Sequence, residues 1–243
     1  AGIVRARDGM VFVTTATEAH KVLTLSADGT VATLAGSAEK GTAAGRGEAA
    51  RFANPYGVAE GPDGLLYVAD LGRSLIRRVD REGNVTTVAG RPWLQVETMQ
   101  SIDGDIADAR FHAPGSIVVA SDGTIYVGEQ DGQCVREIRE GVVSTLCECD
   151  FSVRGLLLDE LEGLLYVAAG HRILTVVVPT REERLQVLFA PIMRLGSLVR
   201  RERAELVPAS GGTDPGERRA RGGLRRVMGC PVEILLRALK FAF

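Results

Sequence analysis

The chain has 243 residues, 45% of them apolar, which is enough for a core of domain size. Mean hydropathy is near zero at +0.08, and no apolar run reaches the roughly 18 residues a membrane-spanning helix needs, so a helical span is excluded. Charge is unevenly placed: residues 181–243 carry 13 Lys/Arg and 7 Asp/Glu, whereas residues 1–180 carry 16 and 24, and an acidic body of that kind repels phosphate backbones and argues against nucleic-acid binding.

The chain opens inside a strand. Ala1-Gly2-Ile3-Val4 sits where a later stretch has Tyr56-Gly57-Val58-Ala59, so the chain reads as a fragment of a longer protein. Four short apolar runs follow, Ile3–Arg5, Met10–Thr14, Val22–Leu25 and Val31–Ala35, separated by polar turns, which predicts an antiparallel meander. Ser37–Ala50 carries Gly41, Gly45 and Gly47. A phosphate cradle would need a helix after these glycines, but Arg51-Phe52 and another strand follow, so a connecting loop is expected. The stretch Arg51–Gly90 repeats the meander, with strands at Gly57–Ala59, Leu65–Ala69, Leu75–Val79 and Val85–Ala89.

The connection Arg91–Ala109 holds Trp93, read either as an exposed anchor or as buried against a neighbour, and then Asp103, Asp105 and Asp108. Those three lack the closing glutamate of a calcium loop, so a solvated loop is expected. A third copy has strands at Ser116–Ala120, Thr124–Gly128, Cys134–Ile138 and Val142–Leu146. A shorter fourth has Val153–Leu158, Leu164–Ala168 and Arg172–Val178, with a last strand at Leu185–Phe189 and no R-F-x-x-P element before it. The glycine closing each first hairpin falls at Gly9, Gly64, Gly123 and Gly163, and a four-stranded unit recurring at about this period is the mark of a bladed fold.

The shared pattern is now visible: Arg51-Phe52, Pro55, Gly57-Val58, Asp63-Gly64, Tyr67-Val68-Ala69-Asp70, Ile76-Arg77, and Gly83 through Gly90. It resembles the NHL repeat, over about residues 1–190. The Ala19-His20-Lys21-Val22 and Gly170-His171-Arg172-Ile173 segments keep its third-strand start, and Arg73-Ser74-Leu75-Ile76 and Gly132-Gln133-Cys134-Val135 depart from it. The resemblance implies an all-β, partial β-propeller of about four four-stranded blades, near residues 1–36, 51–90, 110–147 and 153–190. It also implies a non-catalytic scaffold whose blade-top loops present Arg51, Phe52, Asn54, Tyr56, Arg110, Phe111 and His112 to a protein partner, with no metal and no cofactor. The rival reading is a gluconolactonase-like or phosphotriesterase-like hydrolase in which Asp70, Glu129 and Asn54 hold a divalent ion. An unclosed arc leaves open blade edges that invite self-association.

Residues 191–243 read as a basic tail. Arg194–Glu205 has helical spacing, Pro208–Gly222 has a disordered composition, and Cys230–Phe241 resembles the opening helix of an F-box with Cys230 in place of the leading Leu, although an ordinary amphipathic helix is preferred. Cys147 and Cys149 lie two apart on a predicted strand, and Cys134 and Cys230 lie in unlike regions. Free thiols in a reducing, cytoplasmic compartment are therefore expected. His20 and His171 occupy one repeat slot and are read as turn-capping or packing residues.

Overall fold

The computed structural model describes residues 1–92, 100–180 and 183. Trp93, the strand expected at Leu185–Phe189, Cys230 and the whole 191–243 tail lie outside the described residues. Within them the fold is all-β apart from single 3-10 turns and the helical position at Glu183, and no helix is long and apolar enough to cross a membrane.

The first blade is β1 (Ile3–Arg5), β2 (Val11–Thr15), β3 (Lys21–Leu25) and β4 (Val31–Gly36), paired in chain order. The second and third each have five strands. After the two-residue β5 (Gly45–Arg46) come β6 (Pro55–Glu60), β7 (Leu66–Asp70), β8 (Leu75–Val79) and β9 (Asn84–Ala89). The order in the sheet is β5-β9-β8-β7-β6, so the loop leading into the blade adds a short strand along its outer edge. The third blade repeats this with β10 (Gly104–Asp105), β11 (Pro114–Val119), β12 (Ile125–Glu129), β13 (Cys134–Arg139) and β14 (Val142–Glu148). The fourth shows three strands, β15 (Val153–Asp159), β16 (Leu164–Ala169) and β17 (Arg172–Val177).

The turns follow from the sequence. In each first hairpin an aspartate accepts the backbone N–H two residues on: Asp8 from Met10, Asp63 from Leu65 and Asp122 from Thr124. The glycine between them takes a left-handed φ, +90° at Gly9, +76° at Gly64 and +87° at Gly123, which other residues adopt at a cost. In the first three blades the residue immediately before the third strand is left-handed as well: His20 at 49°, Ser74 at 57° and Gln133 at 51°. What these three blades share at that slot is a backbone conformation. The side chain is free to change, which accounts for the sequence departures there.

Blades stack through their inner strands, with β6 against β1, β11 against β6 and β15 against β11. Three apolar clusters fill the joints. Phe12 and Val22 of the first blade meet Leu66, Val68 and Val79 of the second. Ala69 and Ile76 meet Ile125, Val127 and Ile138. Tyr126 and Val135 meet Val153, Leu165 and Val167. Strand approach at the centre depends on glycine, because a Cβ on Gly57 would fall on the Gly115 carbonyl oxygen and within 3.2 Å of the Ile117 nitrogen. Gly57→Ala is therefore expected to lower stability by about 1–3 kcal/mol, the usual range for overpacking, read as a lower urea midpoint with an unchanged slope.

Candidate functional site

Strand ends Asp70 and Glu129, the turns after them, and the Arg-Phe loops all lie at one end of the blades, where the sequence places the partner-binding residues. Two of those residues need correcting. Phe52 and Phe111 are fully buried and cannot touch a partner. Each ring is a wedge between blades. Phe52 lies 2.9 Å from where a Gly36 side chain would start, with the Arg77 guanidinium 5.6 Å from its centroid. Phe111 sits likewise 3.0 Å from the Gly90 position, with Arg136 at 5.4 Å. The closing Ala-Gly of one blade and the Arg-Phe of the next are thus two halves of a single contact.

The other predicted residues are half-buried. Arg51 pairs with Glu39 at 3.2 Å and donates to the Glu48 and Ala50 carbonyls. Asn54, at φ 83°, donates its backbone N–H to Nδ1 of buried His20 at 3.2 Å, and its Oδ1 is buried without a partner. The Tyr56 carbonyl accepts the Thr14 hydroxyl at 2.5 Å. The Arg110 carbonyl accepts from Arg136 at 3.0 Å, and that of His112 from Gly132 at 3.1 Å. His171 does not share the His20 environment: it is exposed and meets Phe151 edge-on at 4.9 Å, whereas His20 is buried. Phe151 also has Arg172 over its ring at 5.6 Å, a partly exposed counterpart of the wedge in a blade whose sequence lacks Arg-Phe.

The residues that sequence reasoning missed are the buried arginines. Arg77 donates to the Thr42, Ala43 and Arg51 carbonyls, clamping the incoming loop to its blade. Arg136 does the same with Arg110 and Ile102, and adds ion pairs to Glu129 at 2.8 Å and Asp103 at 2.6 Å. Asp103 also accepts the Thr145 N–H and hydroxyl, so the expected solvated loop is anchored at this residue. The signal was present in the sequence: Phe52 to Arg77 and Phe111 to Arg136 are equally spaced.

Asp70 and Glu129 hold equivalent places but differ in reach. Glu129 meets Arg136, with its other oxygen engaged by Ser101 and Cys134. Asp70 is one methylene shorter. One oxygen accepts the Ala53 N–H at 2.8 Å, and the other is buried without a partner. Burial pushes the Asp70 carboxyl up to about 7, against smaller lowering effects from the Ala53 N–H and Arg77. The two carboxylates are each tied within their own blade, and among the described residues no three His, Cys, Asp or Glu side chains converge as metal ligands.

Two clefts open between these loops. One, about 570 Å³, is lined by Glu18, His20, Lys40, Asn54 and Arg73. The other, about 360 Å³, is lined by His112, Asp131, Cys134, Glu148 and Cys149. Strand β14 ends at Glu148, so Cys149 lies beyond it, donating its N–H to the Gln133 carbonyl at 2.6 Å. Cys134, Cys147 and Cys149 are all free thiols. The Cys149 partner and burial push Cys147 up, and the same contact lowers Cys149.

No known family model matches the chain. Teneurin-3 of Danio rerio is 35% identical over 86 residues, 31% of this chain and 3% of that protein. A gluconolactonase of Xanthomonas campestris superposes with a TM-score of 0.55 at 20% identity, over 72% of this chain and 57% of that one. The nidogen/laminin complex gives 0.54 at 15% identity, over 72% and 59%. The fold is a β-propeller. The chain spans less than two thirds of each of these proteins, and such identities to solved structures speak for the propeller architecture alone.

Two outcomes follow for this propeller. Arg136→Leu leaves Glu129 buried and unpaired and is expected to cost about 3–5 kcal/mol, with part of the loss recovered by adding Glu129→Gln in a double-mutant cycle. Asp70 has a folded pKa above its unfolded value of 3.8. Its stabilisation is therefore full below pH 4 and lost as pH rises through 7. Thermal melts of the wild type from pH 4 to 8 should show that decline, and Asp70→Asn should flatten it.

Proposed function

We propose that the protein is an NHL-type propeller segment serving as a non-catalytic scaffold for a protein partner, in the cytoplasm, without cofactor or nucleic acid. Arg51, Asn54, Tyr56, Arg110 and His112 belong to the contact surface, together with the rims of the two clefts. The observation that carries this reading is the division of labour among charged and polar residues. The residues that recur from blade to blade, Arg77 with Arg136 and Asp70 with Glu129, are buried and spent on internal contacts. The exposed rims differ in charge: Lys40 and Arg73 line one cleft with Glu18, and Asp131 and Glu148 line the other. An interior shared by the two middle blades, with cleft rims of different charge, favours recognition of a partner with its own uneven charge pattern.

The second reading, a propeller hydrolase, draws on the shared architecture with the Xanthomonas campestris gluconolactonase. Against it, Asp70 and Glu129 are committed to contacts inside separate blades. The experiment is quantitative affinity capture with the whole chain, comparing wild type with Tyr56→Ala and His112→Glu. A specific protein whose recovery falls at least tenfold with both variants supports the scaffold. Hydrolysis of a sugar lactone on addition of Ca²⁺ or Zn²⁺ would replace it with the enzyme reading.

A further inference from the structure

The two end blades carry faces that no described residue covers, and the pattern of the internal joints identifies what fits them. Every internal joint has the same two sides. The leading side presents an aromatic residue from the second strand and a β-branched residue from the third: Phe12 and Val22, Tyr67 and Ile76, Tyr126 and Val135. In the fourth blade those places are held by Tyr166 and Ile173, beside Leu157, and there they face outward. Leu157 is 65% exposed and Ile173 45%.

The receiving side of each joint is an aliphatic panel. Val58, Leu66, Val68 and Val79 form it in the second blade, and Ile117, Ile125, Val127 and Ile138 in the third, all buried. The first blade has the same panel in the same register, Ile3, Val11, Val13 and Leu25, and it too faces outward, with Ile3 70% exposed. Among the described residues one leading face and one receiving face of a single type of joint are therefore unused.

Charge matches as well. In the joint between the first two blades, Asp8 and Glu60 share Arg81, at 3.5 and 2.6 Å. At the free ends Glu162 precedes its hairpin glycine as Asp8 does, in a loop one residue shorter, and the Glu60 place is held by Arg5, opposite Val11 as Glu60 is opposite Leu66. A carboxylate and a guanidinium would then lie at the same end of the new joint.

We propose that the fourth-blade face of one copy of this chain docks on the first-blade face of a second copy, forming a head-to-tail joint of the internal kind. This goes beyond the scaffold reading and does not depend on it. A heterologous contact of this sort builds a closed ring or a longer array according to its rotation.

The polarity of the joint makes it testable. Sedimentation velocity of the whole chain over a concentration series should show assemblies larger than a monomer. Ile3→Glu and Leu157→Glu change exposed side chains and are expected to keep the wild-type circular dichroism and melting curve, while each weakens self-association at least tenfold. Mixed in equal amounts, the two variants should recover a dimer, because the first retains an intact fourth-blade face and the second an intact first-blade face. A wild type that stays monomeric at every concentration, variants that associate like wild type, or a mixture that stays monomeric would each overturn the proposal.

Discussion

Burial on both faces of the two middle sheets is the constraint from which the rest of this structure follows. In β12 all five residues are buried, and successive residues of a strand point to opposite faces, so neither face meets water. Such a sheet cannot be stable alone, and it reaches stability only with a neighbour on each side. The glycines of the inner strands let those neighbours approach to backbone contact, and the Phe52 and Phe111 wedges fill the wider gap at the strand ends. Removing either device would leave apolar surface that the blade has no other way to cover.

The buried guanidiniums solve a second problem raised by the same stacking. A connection between blades must descend along the outer edge and return to the centre, carrying backbone carbonyls into a region short of water. Arg77 and Arg136 supply a planar fork of donors to those carbonyls, and each lies over the aromatic wedge of its own loop. A desolvated cation needs compensation, and here the two blades diverge by one methylene. Glu129 reaches Arg136, whereas Asp70 does not reach Arg77 and is left with a carboxyl that titrates near neutrality. The second blade thus depends more heavily on carbonyl acceptors for its arginine than the third does.

Strand positions were legible in the sequence nearly to the residue, because alternation, Asp-Gly turns and the fixed repeat period all point the same way. The expected Thr124–Gly128 strand, for instance, is found at Ile125–Glu129. Three features were not. The edge strands β5 and β10 are two residues long and have no periodicity to show. The phenylalanines of the Arg-Phe loops looked like exposed anchors because an aromatic residue in a polar loop is ambiguous until its partners, Gly36 and Arg77 or Gly90 and Arg136, are known to surround it. Asp103 looked solvated because its partners Arg136 and Thr145 lie 33 and 42 residues away. Recurrence at equal spacing marks packing more reliably than residue type does, and by that measure Arg77 and Arg136 were visible as structural residues all along.

The end blades lack most of this machinery. Opposite Val13 and Val167, where the middle blades place Arg77 and Arg136, the first blade has Leu23 and the fourth Leu174. Arrays of repeats that stand alone end in units with a polar outer face. These do not: the first blade ends in an aliphatic panel, and the fourth shows Leu157, Ile173 and Val177. In the first blade the leucine lies on the outward panel beside Val13, which makes that face more apolar at the place where a cap would be more polar, whereas Leu174 of the fourth blade packs inward on the third. The outer faces keep the chemistry of an interior joint, and it is that chemistry, with no polar cap among the described residues to oppose it, that makes each a surface for another blade.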